Sequence, residues 1–168
     1  VEQYVAHGML APDELVNAII KKRLKDLDME GGFLLDGYPR NIEQAEDLDK
    51  HLSIDLAIHL KMTDAIALRR LLSRLYCPAC RSVFHELESP PAIPGICSVC
   101  GGPLKRRDDD QEETIRHRLM AYRFMTEPMT TYYRQRGVLL SVNADQPIPF
   151  LFQELIKKMA KLGFTNVP

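Results

Sequence analysis

The sequence predicts an α/β fold built on a parallel sheet, and three observations carry that reading. Short apolar runs without clean polar alternation recur along the chain, as in parallel strands covered on both faces. Amphipathic helical patterns separate them, so strand and helix alternate. One stretch rich in cysteine, proline and glycine interrupts the rhythm, as an inserted subdomain would. A chain of 168 residues, 45% hydrophobic and 27% charged with net charge −1, suits one domain carrying such an insert.

In chain order, Pro12-Asp13-Glu14 opens the first helix: proline is tolerated in a first turn, and acids suit the positive end of the helix dipole. Leu15, Val16, Ile19 and Ile20 give that helix one apolar side. Phe33-Leu34-Leu35 reads as the first buried strand. Asn41 can cap a second helix through Ala45 and Leu48. Leu56-Ala57-Ile58-His59-Leu60 reads as the next strand. Thr63 or Asp64 can cap a third helix, expected to run to about Arg74. Residues from Tyr76 to about Arg107 form the insert. A long helix is expected after Asp108-Asp109-Asp110, with Ile115, Leu119 and Tyr122 on its buried stripe. Val138-Leu139-Leu140-Ser141-Val142 reads as the third strand. The last helix carries Ile148, Leu151, Phe152, Leu155 and Met159 at spacings of three and four.

The composition excludes a disordered, collagenous or disulfide-dense chain. No apolar run approaches the ~18 residues of a membrane span, and the N-terminus is not a signal peptide. The basic cluster Lys105-Arg106-Arg107 is answered at once by Asp108-Asp109-Asp110 and Glu112-Glu113. Neither a membrane nor a nucleic-acid partner is therefore expected. All four cysteines lie between positions 77 and 100, leaving none elsewhere for disulfides. That points to a reduced, cytoplasmic compartment and to a metal.

Cys77-Pro78-Ala79-Cys80 and Cys97-Ser98-Val99-Cys100 are two CxxC turns at zinc-ribbon spacing. Each supplies two thiolates, and two such turns close a tetrahedral Zn²⁺ site with no open position for water. The expected role is structural, because so small an insert cannot build its own core. A redox pair is the competing reading, and two pairs at this spacing speak against it.

Gly32-Phe33-Leu34-Leu35-Asp36-Gly37-Tyr38-Pro39-Arg40 is the most informative segment. An apolar strand ends in a carboxylate, then a turn, then an arginine at the start of a helix. Ligands of open α/β sheets sit beyond the carboxyl ends of the strands. Asp36 is thus placed to hold Mg²⁺ through water, and Arg40 to fork onto a phosphate. The plainer alternative makes Asp36 a turn cap and Arg40 a solvated charge.

Asp36-Gly37-Tyr38-Pro39-Arg40 followed by Gln44 resembles the nucleoside monophosphate kinase signature, in the form found in adenylate kinases. Gly8-Met9-Leu10-Ala11-Pro12-Asp13-Glu14 resembles the segment that folds over the AMP base. The cysteine insert, with Arg70 and Arg74 before it, resembles the zinc-bearing lid of that family. Arg107 to Thr114, then Arg118, resembles the lid's return and the helix after it. The resemblance covers essentially the whole chain and implies a doubly wound parallel sheet of the P-loop NTPase type. It divides the chain into residues 1–11 (the rest of the AMP-binding segment), 12–75 (core), 76–107 (zinc lid) and 108–168 (core).

The implied reaction is reversible phosphoryl transfer, ATP + AMP = 2 ADP, with Mg²⁺ accompanying ATP. By the same resemblance Arg40 grips the AMP phosphate, Gln44 reads the adenine edge, and Met9, Ala11 and Gly37 lie against AMP. Arg70 and Arg74, four residues apart and so expected on one helix face, serve the ATP base and phosphates. Val83 and Phe84 line the ATP adenine, and the Gln146 carbonyl meets its amino group. Arg107 and Arg118, eleven apart, are expected to point one way from a helix that starts early, toward the transferring phosphates and AMP. Arg116 is expected to be solvated. Asp36, Arg40, Arg70, Arg74, Arg107 and Arg118 form the expected catalytic set, and the lid is expected to close before transfer because water would otherwise compete. Such kinases of this short type are commonly monomers.

The sequence also departs from the family. No GxxxxGK[ST] motif occurs, and the chain starts at Val1 rather than Met. The family's P-loop and first strand precede the segment where this sequence starts, so the natural protein is expected to be longer. A chain of only these residues is expected to be unstable and inactive. An inactive nucleotide-binding module is one alternative, and a GTP-dependent AMP kinase is another. Ala11 and Tyr38 stand where the family usually has valine and phenylalanine.

Overall fold

The computed structural model describes Tyr4 and residues 11–25 and 31–164; Gly8, Met9 and Leu10 lie outside the described residues. Two compact units divide the chain: residues 1–59 with 117–140, and residues 60–116 with 141–168.

The first unit contains helices α1 (Asp13–Lys25) and α2 (Ile42–Asp49), and α5 (Met129–Gln135) after a single π-helical turn (Tyr122–Thr126). α2 starts where the sequence expects it, since extended Asn41 accepts the Gln44 amide on its side chain at 2.8 Å. The core joins Ala45 of α2 to Met129 and Tyr133 of α5, with Ile42, Ile54, Ala57, Val138 and Leu139 packed against them. Asp49 at the end of α2 accepts from both Tyr132 and Arg136. Burial beside that carboxylate pushes the Tyr133 hydroxyl up to about 12.

Strands β1 (Ala57–Lys61) and β4 (Leu139–Asn143) form a two-stranded sheet. The Ala57 amide donates to the Val138 carbonyl at 2.9 Å, where both strands start. The Ala144 amide donates to the Lys61 carbonyl at 2.8 Å, where both end. Starts meet starts and ends meet ends, so the pair is parallel, as the unalternating apolar runs require.

The second unit contains α3 (Asp64–Leu72), the antiparallel strands β2 (Arg74–Tyr76) and β3 (Val83–His85), the first half of α4 (Glu112–Ala121), and α6 (Ile148–Lys161). β2 and β3 pair in the register Arg74–His85, Leu75–Phe84 and Tyr76–Val83.

Several expected elements differ. Phe33-Leu34-Leu35 is extended but carries no ladder, and Leu34 is 80% exposed. Among the described residues no strand pairs with this run, and of its side chains only Leu35 is partly covered. α3 stops at Leu72, because Arg74 is drawn into β2; Arg70 and Arg74 therefore do not share a helix face. α4 starts at Glu112, after a turn in which the Asp110 amide donates to the Arg107 carbonyl at 3.1 Å. Arg107 lies before the helix, which removes the periodicity that would have aligned it with Arg118. Tyr122 leaves the α-helical stripe for the π turn, closed by the Glu127 amide on its carbonyl at 2.8 Å. Leu15, Ile19 and Phe152 are exposed, whereas Val16, Ile20, Leu151 and Leu155 are half-buried, so both apolar stripes are narrower than their sequence suggests.

Ile115 is fully buried on α4. Ile115→Ala is expected to lower the unfolding free energy by about 2–4 kcal/mol, measured by urea denaturation; an unchanged midpoint would contradict this placement.

Candidate active site and metal centre

In the first unit, the turn after Phe33-Leu34-Leu35 is shaped by Gly37, whose φ of +74° is a left-handed conformation. Its carbonyl accepts from Arg40 Nε at 2.8 Å. A Cβ on Gly37 would meet Arg40 Nη2 at 3.1 Å, so the small residue leaves room for the guanidinium to fold back. Asp36 and Arg40 are exposed, and no carboxylate pairs with Arg40 among the described residues. Thr126 donates to the Arg40 carbonyl at 2.7 Å, tying this turn to the π-helical turn.

Gln44 is 2% exposed and engaged at both ends of its amide. Its Oε1 accepts from the Arg40 amide at 2.8 Å, and its Nε2 donates to Asp13 at 2.6 Å. Asn41 Nδ2 also donates to Asp13, at 2.9 Å. Tyr38, whose hydroxyl burial pushes above its ordinary range, donates to Asn17 at 2.8 Å. Asp13 and Asn41 contact Gln44, whereas sequence reading gave Asp13 to the helix dipole and the segment from Gly8 to Glu14, and Asn41 to a cap. The signal in the sequence was partial: Asn41 adjoins the motif, but Asp13 lies 23 residues before Asp36 and only the fold brings it to Gln44. Arg118 is half-buried on α4 in this unit, while Arg116 in the other is exposed and pairs with Glu112 at 2.6 Å.

In the second unit, three arginines expected on ATP or the transferring phosphates each meet an acid. Arg70 donates through Nε to Glu88 at 3.0 Å, and its guanidinium holds Glu88 below the usual carboxylate range. The same side chain donates to the carbonyls of Ala144 at 2.7 Å and Gln146 at 3.1 Å. The Gln146 carbonyl expected to meet an adenine amino group is thus already braced by Arg70. Arg74 makes a two-pronged pair with Asp110, at 2.9 and 2.6 Å. Arg107 does the same with Asp109, at 2.8 Å on both prongs. Val83 is exposed and Phe84 is half-buried on β3.

The Sγ atoms of Cys77, Cys80, Cys97 and Cys100 all lie within 4.8 Å of one another. A tetrahedral Zn²⁺ site with Zn–S of about 2.3 Å needs sulfurs roughly 3.8 Å apart. The observed Cys77–Cys100 and Cys80–Cys97 distances are 3.4 and 3.5 Å, so the donor set fits. The two turns repeat one geometry. The Arg81 amide donates to the Cys77 carbonyl and the Gly101 amide to the Cys97 carbonyl, at 2.8 and 2.9 Å. Arg81 and Gly101 both have positive φ, 63° and 75°. At Gly102 a Cβ would stand 3.4 Å from Cys100 Sγ and 3.5 Å from Cys77 Sγ. The Ser82 hydroxyl and amide bring the Cys80 thiol down to about 6. Cys100 is raised to about 12, against the pull of the Gly102 amide, by the neighbouring Cys77 and Cys80 thiols. Four crowded sulfurs cannot all ionise without a cation among them, which is the electrostatic demand a metal meets.

The family model for adenylate kinase matches residues 1–138. The chain belongs to the adenylate kinase family. An adenylate kinase of Caldicellulosiruptor saccharolyticus is 39% identical over 163 residues, which are 94% of this chain and 76% of the relative. That of Methanothrix thermoacetophila is 41% identical over 165 residues, 95% of this chain and 76% of the relative. That of Thermodesulfovibrio yellowstonii is 42% identical over 163 residues, with 94% and 76% covered. Membership of the adenylate kinase family accords with the parallel β1–β4 pair and with the clustered thiols. No helix among the described residues is long and apolar enough to cross a membrane.

The Asp110 side chain is 1% exposed and that of Arg74 17%. Asp110→Ala is expected to cost about 3–5 kcal/mol, because it strands a largely buried guanidinium. Glu112→Ala, which breaks an exposed pair four residues apart on α4, is expected to cost no more than about 0.5 kcal/mol. Equal losses in thermal or chemical denaturation would refute that ranking.

Proposed function

We propose that the protein is a phosphotransferase that interconverts ATP and AMP with two ADP. The observation that carries this reading is the Asp36-to-Arg40 turn followed by Gln44, within a chain about two-fifths identical to adenylate kinases. In that turn the Arg40 guanidinium has no carboxylate partner among the described residues and bonds to the Gly37 carbonyl, while the Arg40 amide bonds to the buried Gln44 carboxamide, which carries both donor and acceptor.

Phosphoryl transfer of this kind passes through a loose transition state with charge on peripheral oxygens, so positioning and electrostatic stabilisation carry the catalysis. Arg40 forks onto the AMP phosphate, and Gln44 meets the adenine edge with Gly37 and Ala11 against the nucleotide. Arg70, Arg74, Val83, Phe84 and the Gln146 carbonyl serve ATP; Arg107 and Arg118 serve the phosphates between the two nucleotides. Mg²⁺, held through water by Asp36, would supply charge neutralisation on the ATP phosphates. Binding ATP requires Arg70 to exchange Glu88 for phosphate, a swap of one anion for a more highly charged one. The four cysteines hold Zn²⁺ as a structural ion that stiffens residues 76–107 as a lid, and the lid excludes water from the transfer. The enzyme acts as a cytoplasmic monomer.

A coupled assay on the full-length protein is expected to show ADP formation that requires ATP, AMP and Mg²⁺ together; folded, metal-loaded protein without turnover would overturn the reading. Arg40→Ala is expected to raise KM for AMP by about tenfold or more while KM for ATP stays near its starting value. Removing zinc with a chelator is expected to lower the melting temperature by about 5 °C or more, with recovery on adding Zn²⁺ back. A melting curve indifferent to the chelator would leave the thiols without a structural metal.

A further inference from the structure

We propose that Asp13 sets purine specificity by fixing the polarity of the Gln44 carboxamide, so that the site accepts a 6-aminopurine nucleotide and rejects a 6-oxopurine one. The inference rests on the reading of Gln44 as the residue that meets the acceptor base, and deepens it.

A glutamine amide has a donor end and an acceptor end, and half a turn about its last bond exchanges them. Adenine presents the N1 acceptor beside an amino donor; hypoxanthine presents an N–H donor beside a carbonyl acceptor. For a base held in one pose by its phosphate, a freely turning glutamine satisfies either edge. Gln44 by itself therefore does not choose between them. Its orientation must be fixed by something else.

Both ends are fixed here by groups of a single polarity. The Arg40 amide can only donate, and it reaches Gln44 Oε1 at 2.8 Å. The Asp13 carboxylate can only accept when ionised, and it takes Gln44 Nε2 at 2.6 Å. Asp13 is itself located by Asn41 Nδ2, at 3.1 and 2.9 Å from its two oxygens. Asn41 cannot turn, because its Oδ1 accepts the Gln44 backbone amide at 2.8 Å as the cap of α2. Two backbone N–H groups thus anchor two side-chain amides, and one carboxylate closes the set. Turning Gln44 would set oxygen against carboxylate at one end and nitrogen against N–H at the other. With Gln44 2% and Asn41 4% exposed, water cannot repair those contacts.

In the fixed orientation Gln44 keeps one hydrogen on Nε2 and one lone pair on Oε1. That pair of groups complements the acceptor and donor of a 6-aminopurine in a given pose, and opposes a 6-oxopurine in the same pose. Asp13 need not touch the base. It is a positioning residue that acts through Gln44.

The test compares kcat/KM for AMP and for IMP, which differ only at the edge in question, in the full-length protein. Asp13→Asn keeps the shape but offers a donor as well as an acceptor, so that only the Arg40 amide still selects the orientation of Gln44 and the turned form becomes accessible. The preference for AMP over IMP is expected to fall by about tenfold or more, chiefly through improved use of IMP. Asp13→Glu, still only an acceptor, is expected to keep most of that preference. A folded Asp13→Asn protein with both substrates weakened alike and the ratio unchanged overturns the inference and leaves Asp13 as scaffold. If Asp13→Asn does not fold, hydrogen exchange of the Gln44 Nε2 protons in the unaltered protein decides. Strong protection is expected, and exchange as fast as an exposed carboxamide overturns it. Gln44→Ala separates the two levels: an unchanged KM for AMP would overturn the underlying reading, whereas a raised KM with an unchanged Asp13→Asn ratio would overturn this inference alone.

Discussion

A carboxylate whose side chain is 1% exposed persists as a charge only beside a cation that also hydrogen-bonds it, and Arg74 gives Asp110 both. Arg74 opens β2, where the chain sets out on the cysteine-bearing excursion, and Asp110 lies where it returns. The pair therefore closes that excursion at its base. Reciprocal amide–carbonyl bonds between Tyr76 and Lys105, at 2.8 and 2.9 Å, repeat the closure one step further out. With both ends held, the loop that joins the two CxxC turns is effectively shorter and its closure costs less entropy.

The arginines illustrate how one residue type divides its work. Arg74 is committed to a buried acid and Arg107 to a two-residue turn with Asp109. Arg70 is shared between Glu88 and two carbonyls of the loop after β4. Arg40 alone among these four has no carboxylate against it among the described residues, and it bonds instead to the carbonyl of Gly37. A guanidinium already matched by an acid yields to a polyanion only by exchange, while an exposed one beside a glycine turn accepts it directly. Different arginines thus present different barriers to the same kind of ligand.

Local chemistry was legible wherever it needed only near neighbours. Asn41 caps α2 as read, since the capping bond spans three residues. The four cysteines cluster as their spacing required. Pro12-Asp13-Glu14 does open a helix, and the apolar runs at positions 56–60 and 138–142 do give strands that pair in parallel, each one residue later than read. What failed were inferences that extended periodicity past a point where another partner competes. α3 was read through Arg74, but ladder pairing with Val83–His85 took those residues. α4 does start after Asp108-Asp109-Asp110 as read, but the turn at Arg107–Asp110 leaves Arg107 outside the helix and so out of register with Arg118. Phe33-Leu34-Leu35 has the composition of a strand, yet a strand is a relation between two segments, and composition names only one of them.

By itself, the sequence determined the α/β class, the thiol cluster, the Asn41 cap and the family, because each follows from composition, short-range spacing or residue identity along the chain. Only the tertiary structure decided which acid faces which arginine, and that Asp13 and Asn41 lock the two ends of Gln44. Those pairings join residues up to dozens of positions apart, as Arg74 and Asp110 are. Charge and polarity become specific only when burial removes water as the alternative partner, and burial is a property of the folded chain.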